Sequence, residues 1–93
     1  MKYEYIGWCK KDNHDKVWGI LRLDGTKCMT FWGRRGAKLQ TKMVIAGIWE
    51  AEDMFLKKES KGYKNIPKSD LDKIYPEFQT DLEKTAMWAM LKM

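Results

Sequence analysis

The sequence predicts an α+β domain: an antiparallel meander of three to four strands packed on one long helix, plus a C-terminal helix. Three observations lead there. Through the first 45 residues aromatic and β-branched side chains recur in strand-like runs, and Asp24-Gly25 supplies a two-residue hairpin turn. After Ala46-Gly47 the apolar spacing lengthens to that of a helix. Charge divides at the same point: residues 1–47 hold ten Lys or Arg against four Asp or Glu, whereas residues 48–93 hold eight against nine. The strand half is therefore basic and the helical half is not, which predicts helices behind the sheet and a basic face in front.

Taken in order, Tyr3 to Cys9 (YEYIGWC) is rich in β-prone aromatic residues and reads as a first strand. Lys10 to Asp15 is a polar turn, and Val17 to Leu23 (VWGILRL) a second strand closed by the Asp24-Gly25 hairpin. Thr26 to Trp32 returns as a third strand, with Lys27, Met29 and Phe31 on one face and Cys28, Thr30 and Trp32 on the other. Phe31 and Trp32 are adjacent and cannot both enter one core, so one ring of the pair is a candidate for exposure. Gly33 to Ala37 is a loop, and Leu39 to Ile45 a fourth alternating strand. Ile48 to Lys61 reads as the long helix, with Ile48, Ala51 and Phe55 on one stripe, acids in its first turns, lysines in its last and Gly62 as its stop. Tyr63 to Lys68 is loop, Ser69 to Asp72 caps a short helical turn, and 77–93 predicts the C-terminal helix, apolar most of the way round from Ala86 to Leu91.

Composition bounds the rest. The chain of 93 residues makes one domain, 1–93, and 44% hydrophobic residues exclude disorder. No run of about 18 apolar residues is present, so no membrane span or membrane partner is expected, and the N-terminus lacks a signal-like apolar region, which predicts a cytoplasmic protein. Cys9 and Cys28 are too few for a disulfide framework and suit a reducing compartment as free thiols, with a single pairing across neighbouring strands as the alternative. His14 is the only histidine and lies in a polar turn beside Asp12 and Asp15, where a solvated role outweighs that of a general base. With Cys9 and Cys28 it offers three soft ligands at spacings that match no zinc signature. No nucleophile elbow, phosphate-cradling loop or dinucleotide fingerprint occurs. The expectation is no catalysis, no cofactor and no metal.

Binding to a polyanion has better support. Between Asp24 and Glu50 the chain carries Lys27, Arg34, Arg35, Lys38 and Lys42 and no acid, a run equal to the whole formal net charge of +5. Cations engage phosphates and release counterions, flat rings stack on bases or sugars, and Arg matches phosphate with a planar fork. Trp32 is the ring inside this run, and Gly33 and Gly36 free the backbone to approach a ligand closely. A Gly-x-x-Gly with two basic residues also belongs to KH domains, but there it joins two helices and here it follows a strand.

The run Phe31-Trp32-Gly33-Arg34-Arg35-Gly36, followed by Gln40-Thr41-Lys42, resembles the signature of the WGR domain, as found in poly(ADP-ribose) polymerases and bacterial WGR-domain proteins. Ala51, Phe55, Lys58 and Lys61-Gly62-Tyr63 resemble that family's helix, and Ile74-Tyr75-Pro76-Glu77 the Tyr-Pro segment after it; the likeness covers roughly residues 16–78. It implies a sheet packed on a helix that binds near a DNA strand end. The motif's Trp would lie against the terminal sugar, and its Arg would contact the backbone or neighbouring domains. Those roles fall to Trp32 and Arg34; Arg35 stands where the family is often apolar, and its role rests on charge alone. The strand over 3–9 and the helix over 77–93 are additional to the family's minimal domain, and the chain has no room for the polymerase's catalytic domain. The expected function is a non-catalytic nucleic-acid-binding module for DNA ends or nicks, with RNA as the other candidate polyanion. Trp32, Gly33, Arg34, Arg35, Lys38 and Lys42 form the site, with Gln40 and Lys27 at its margin. The alternative is a protein-interaction or homodimer module that uses the same Trp/Arg face or the apolar C-terminal helix.

Overall fold

The computed structural model describes residues 3–78 together with 80, 83 and 84. Four strands, β1 (Tyr3–Lys11), β2 (His14–Asp24), β3 (Lys27–Arg34) and β4 (Gln40–Ile45), form the antiparallel meander. A 12-residue helix, α1 (Ile48–Glu59), follows, then a two-residue strand, β5 (Lys64–Asn65), and a short helix, α2 (Lys68–Ile74). The sheet order is β4-β3-β2-β1-β5. Residues 63–68, expected as loop, thus supply a fifth strand that pairs with Gly7 and Trp8 of β1. The helix expected over 77–93 lies for the most part outside the described residues.

The elements follow from the sequence locally. The first turn contracts from the expected six residues to Asp12-Asn13, because Lys11 pairs with His14; Asp12 takes φ 55°, a left-handed value that Asp tolerates better than most residues. Gly25 turns the next hairpin at φ 52°. Helix α1 starts with the Glu50 carboxylate accepting the Gly47 backbone N–H at 2.8 Å. Its last turn carries Lys57 and Lys58, as the helix dipole favours.

Pleating sends alternate residues of each strand to opposite faces, and here both faces are packed. On the back face Ile6, Val17, Leu21, Met29 and Phe31 join Leu39, Ile66, Leu71 of α2, Tyr75 and Phe78 in one core. On the front face Trp18, Ile20 and Cys28 join Ala46 and the α1 residues Ala51 and Phe55. The expectation of a sheet with one face free of helices is therefore corrected: α1 packs on one face and the short α2 on the other. The run Val17 to Leu21, buried at every position, is what a strand covered on both sides requires.

One glycine is fixed by this arrangement. Gly19 faces its partner Phe31 across the β2–β3 ladder, and the Phe31 ring, 5.9 Å from that of Phe78, lies across it. A Cβ at position 19 would stand 2.3 Å from Phe31 Cζ and 2.7 Å from the Tyr5 carbonyl oxygen. Gly19→Ala is expected to destabilise the fold by about 1–3 kcal/mol through overpacking. For a domain of this size each kcal/mol lowers the melting midpoint by about 4–8 °C, which a thermal melt will register.

Candidate nucleic-acid interface

The Trp-Gly-Arg stretch occupies the end of β3 rather than a loop, and strand alternation sorts its residues. Phe31 is fully buried on the back face, whereas Trp32 is half-buried on the front, which settles which ring of the adjacent pair reaches solvent. Trp32 stands opposite Trp18 in β2 and Gln40 in β4, with its inner side against the Trp18–Phe55 core. Helix α1 crosses the front face over β1 and β2, where the Phe55 ring stacks on Tyr5 at 5.1 Å and tilts against Trp18 at 6.3 Å. Beyond it on the front face Cys28 and Thr30 of β3 are still buried, whereas at the other end of the strand Trp32 is only half-buried and its neighbours Gln40 and Lys42 are exposed.

The cations around Trp32 come from four elements. Arg34 is exposed at the end of β3 and lies directly opposite Lys16 of β2. Two like charges facing each other across a ladder are unfavourable unless an anion joins them. Lys42, two residues beyond Gln40 on the same face of β4, is exposed. Lys58 of α1 holds its Nζ 5.6 Å from the centre of the Trp18 ring. Burial, followed by the nearby Lys61, pushes its ammonium below the ordinary lysine value. Among the described residues no carboxylate forms an ion pair with Lys16, Arg34, Lys42 or Lys58. At the opposite end of the front face Arg22 is neutralised by Glu4, with Nη2 3.0 Å from Oε2, and also donates to the Ala46 carbonyl at 2.8 Å. Of the two front-face arginines, Arg22 is thus paired with a carboxylate and Arg34, beside Trp32, is not, among the described residues.

Other expected site residues fall elsewhere. Arg35 turns to the back face, where its guanidinium grips Asp15 through two parallel contacts, Nε to Oδ1 at 3.0 Å and Nη2 to Oδ2 at 2.9 Å. It also donates to the Ile74 carbonyl and lies 5.1 Å over the Trp8 ring, whose Nε1 donates to Asp15 at 2.6 Å. Arg35 ties β2, the β3–β4 loop and the end of α2 together; it does not face the Trp32 surface. Gly33 is a paired strand residue at φ 149° with Leu39 packed 3.5 Å from where a Cβ would sit. Its task is backbone geometry, not close approach of a ligand. Lys38 is exposed on the loop that precedes β4, at the Trp32 end of the sheet. Lys27 pairs with Asp24 and Ile45 at the other end of β3, about 17 Å along the strand from Trp32 and on the opposite face. The surface therefore gathers Trp32, Arg34, Gln40 and Lys42, with Lys38 at its border, and excludes Arg35 and Lys27. It adds Lys16 and Lys58. A hairpin register counted back from Asp24-Gly25 places Lys16 opposite Gly33, and only the irregularity between Arg22 and Asp24 brings it to Arg34; Lys58 required the path of α1 across the sheet.

No group of three or more His, Cys, Asp or Glu is placed to hold a metal among the described residues, and among them no helix is long and apolar enough to cross a membrane.

Asp15 gives a measurable signature of the Arg35 clamp. The hydrogen bonds from Arg35 first, and then from Trp8, hold its carboxyl below the usual carboxylate range. A lowered folded-state value means that the stabilisation is complete above the unfolded Asp value of about 3.9 and is lost as pH falls through the folded value. Asp15→Asn is expected to cost about 1.5–3 kcal/mol at neutral pH, as for hydrogen bonds to charged groups. In urea melts the gap between parent and variant should close as the pH is lowered from 5 into the acid range where Asp15 protonates. Compared with known proteins, the chain matches no family model, no curated protein sequence and no solved structure.

Proposed function

We propose that this chain is a WGR-like, non-catalytic module that binds nucleic acid through the Trp32 end of the β3–β4 front face, with DNA ends or nicks as its target. Trp32 stacks on a sugar or base, and Arg34, Lys16 and Lys42 hold flanking phosphates. Lys58 and Lys38 extend the positive rim, and Gln40 contacts the backbone beside the ring. One observation carries the reading: a half-buried indole stands next to a cross-strand Lys16–Arg34 pair that has no carboxylate partner among the described residues. A phosphate between those two side chains would turn a repulsion into a bridge. The preference for ends rests on the sequence resemblance. Phosphate contacts carry no base information, so binding is expected to follow shape or strand termination rather than sequence.

A protein partner on the same Trp32–Arg34 face is the alternative. The two differ in their response to salt, because release of counterions makes polyanion binding fall steeply between about 50 and 200 mM salt while an apolar protein interface is nearly indifferent. Fluorescence anisotropy with labelled blunt, nicked and single-stranded DNA and with RNA tests the proposal. Trp32→Ala should weaken binding by about 1–3 kcal/mol if the ring stacks. Lys16→Gln should lower the salt slope by about one unit, and Lys27→Gln should leave affinity nearly unchanged. Unaltered affinity of Arg34→Ala and Lys16→Gln for every one of these probes at low salt would sink the reading.

A further inference from the structure

The sheet is closed at one end and open at the other. Strand β5 covers the outer edge of β1, but among the described residues no strand pairs with the outer edge of β4. Apolar side chains crowd that same edge and the turn after it: Met43 is 37% exposed, Ile45 73%, Ile48 70% and Trp49 78%. Trp49 alone offers on the order of 150 Å² of ring surface to solvent. Unpaired edges are normally blunted by charge, and here Lys42 is the one charged residue among the six of β4.

We propose that two copies of this chain associate through antiparallel pairing of their β4 strands about a twofold axis. The edge is self-complementary in charge. Antiparallel pairing sets the entering end of one β4, preceded by Lys38, beside the leaving end of the other, where Glu50 and Asp53 are exposed on the first turns of α1. Paired residues must share a face, which restricts the register. Met43 on the axis faces its own copy, puts Thr41 opposite Ile45 and Lys42 opposite Val44, and avoids the two ammonium groups that would meet with Lys42 on the axis. Stable interfaces begin at about 1,200 Å² in total, and one six-residue strand pair flanked by four exposed apolar side chains per copy is small by that measure, so the dimer should be weak, with a dissociation constant in the micromolar range. The axis runs through the sheet, so both Trp32 faces would look to the same side. Three strand spacings and six residues of offset separate the indoles by about 25 Å. The pairing does not depend on the nucleic-acid reading.

Sedimentation velocity of the full chain over a concentration series up to about 0.5 mM tests it. The expected result is a monomer–dimer equilibrium that Ile45→Lys shifts at least tenfold toward monomer, with Trp49→Ala as a second variant that leaves β4 untouched. In a Cys9→Ser background, Met43→Cys should give a disulfide-linked dimer under mild oxidation, because cross-strand Cα spacings of about 4.5–5.5 Å suit a disulfide. Lys57→Cys, on the outward side of α1, should not. A monomer throughout the series overturns the proposal and leaves the patch to a different occupant. A dimer that is indifferent to Ile45→Lys and Trp49→Ala, and that Met43→Cys fails to link, also overturns it, since the interface would then lie elsewhere.

Discussion

Neighbouring residues of a pleated strand cannot share a face, and in β3 that rule acts on two large rings in succession. Phe31 goes to the back, over Gly19 and against Phe78, where the fold has room for a whole ring because Gly19 has no side chain. Trp32 must then go to the front. Its inner side meets Trp18, and its outer side is left beyond the reach of α1, since Phe55 seats that helix over Tyr5, Gly7 and Trp18 of β1 and β2. The helix starts at the end of β4 and has to deliver the chain to β5 at the far edge, so it crosses the sheet and cannot also lie along β4. The half-buried indole is a consequence of the two-sided core.

The same alternation separates the two arginines that follow. Arg34 falls on the front face opposite Lys16, and Arg35 on the back, where Asp15, the Trp8 ring and the Ile74 carbonyl surround it. Arg35 sits at about 30% exposure in contact with a carboxylate and an aromatic face, an environment in which a planar, weakly hydrated cation packs better than an ammonium would. Arg22 plays a like part at the other end of the sheet with Glu4. Arg22 and Arg35 thus hold structure, whereas Lys16 and Arg34 are exposed and face each other with no carboxylate partner among the described residues.

Much of this was legible in the sequence. The period-two runs and the Asp-Gly turn located four strands, and the change of period after Ala46-Gly47 located α1 to within two residues of its observed end. Strand β5 was not legible because two residues are too few to show a period, and only the pairing with Gly7 and Trp8 makes them a strand. The placement of α1 and α2 on opposite faces was available in the unbroken apolar run Val17 to Leu21, which one-sided burial does not need. The role of Arg35 was hidden because charge counting treats all cations alike. Its partner Asp15 is twenty residues away in sequence, in a segment that reads as a solvated turn. Trp32, Arg34, Gln40 and Lys42 share a face through simple parity, which is why that part of the surface was readable; Lys58 joins it by tertiary path alone.

The way the far edge is sealed bears on how the chain comes into being. Every strand contact from β1 to β4 joins neighbours in sequence, so the meander is complete once β4 has emerged during synthesis. The residues that cover its back face, Ile66, Leu71, Tyr75 and Phe78, and the strand that shields β1 follow 20 to 30 positions later. During that interval Ile6, Val17, Leu21 and Phe31 have no lid, and a nascent sheet is open at both edges. Vectorial emergence of this topology therefore creates a window in which capture by a chaperone or by another nascent chain competes with completion of the fold.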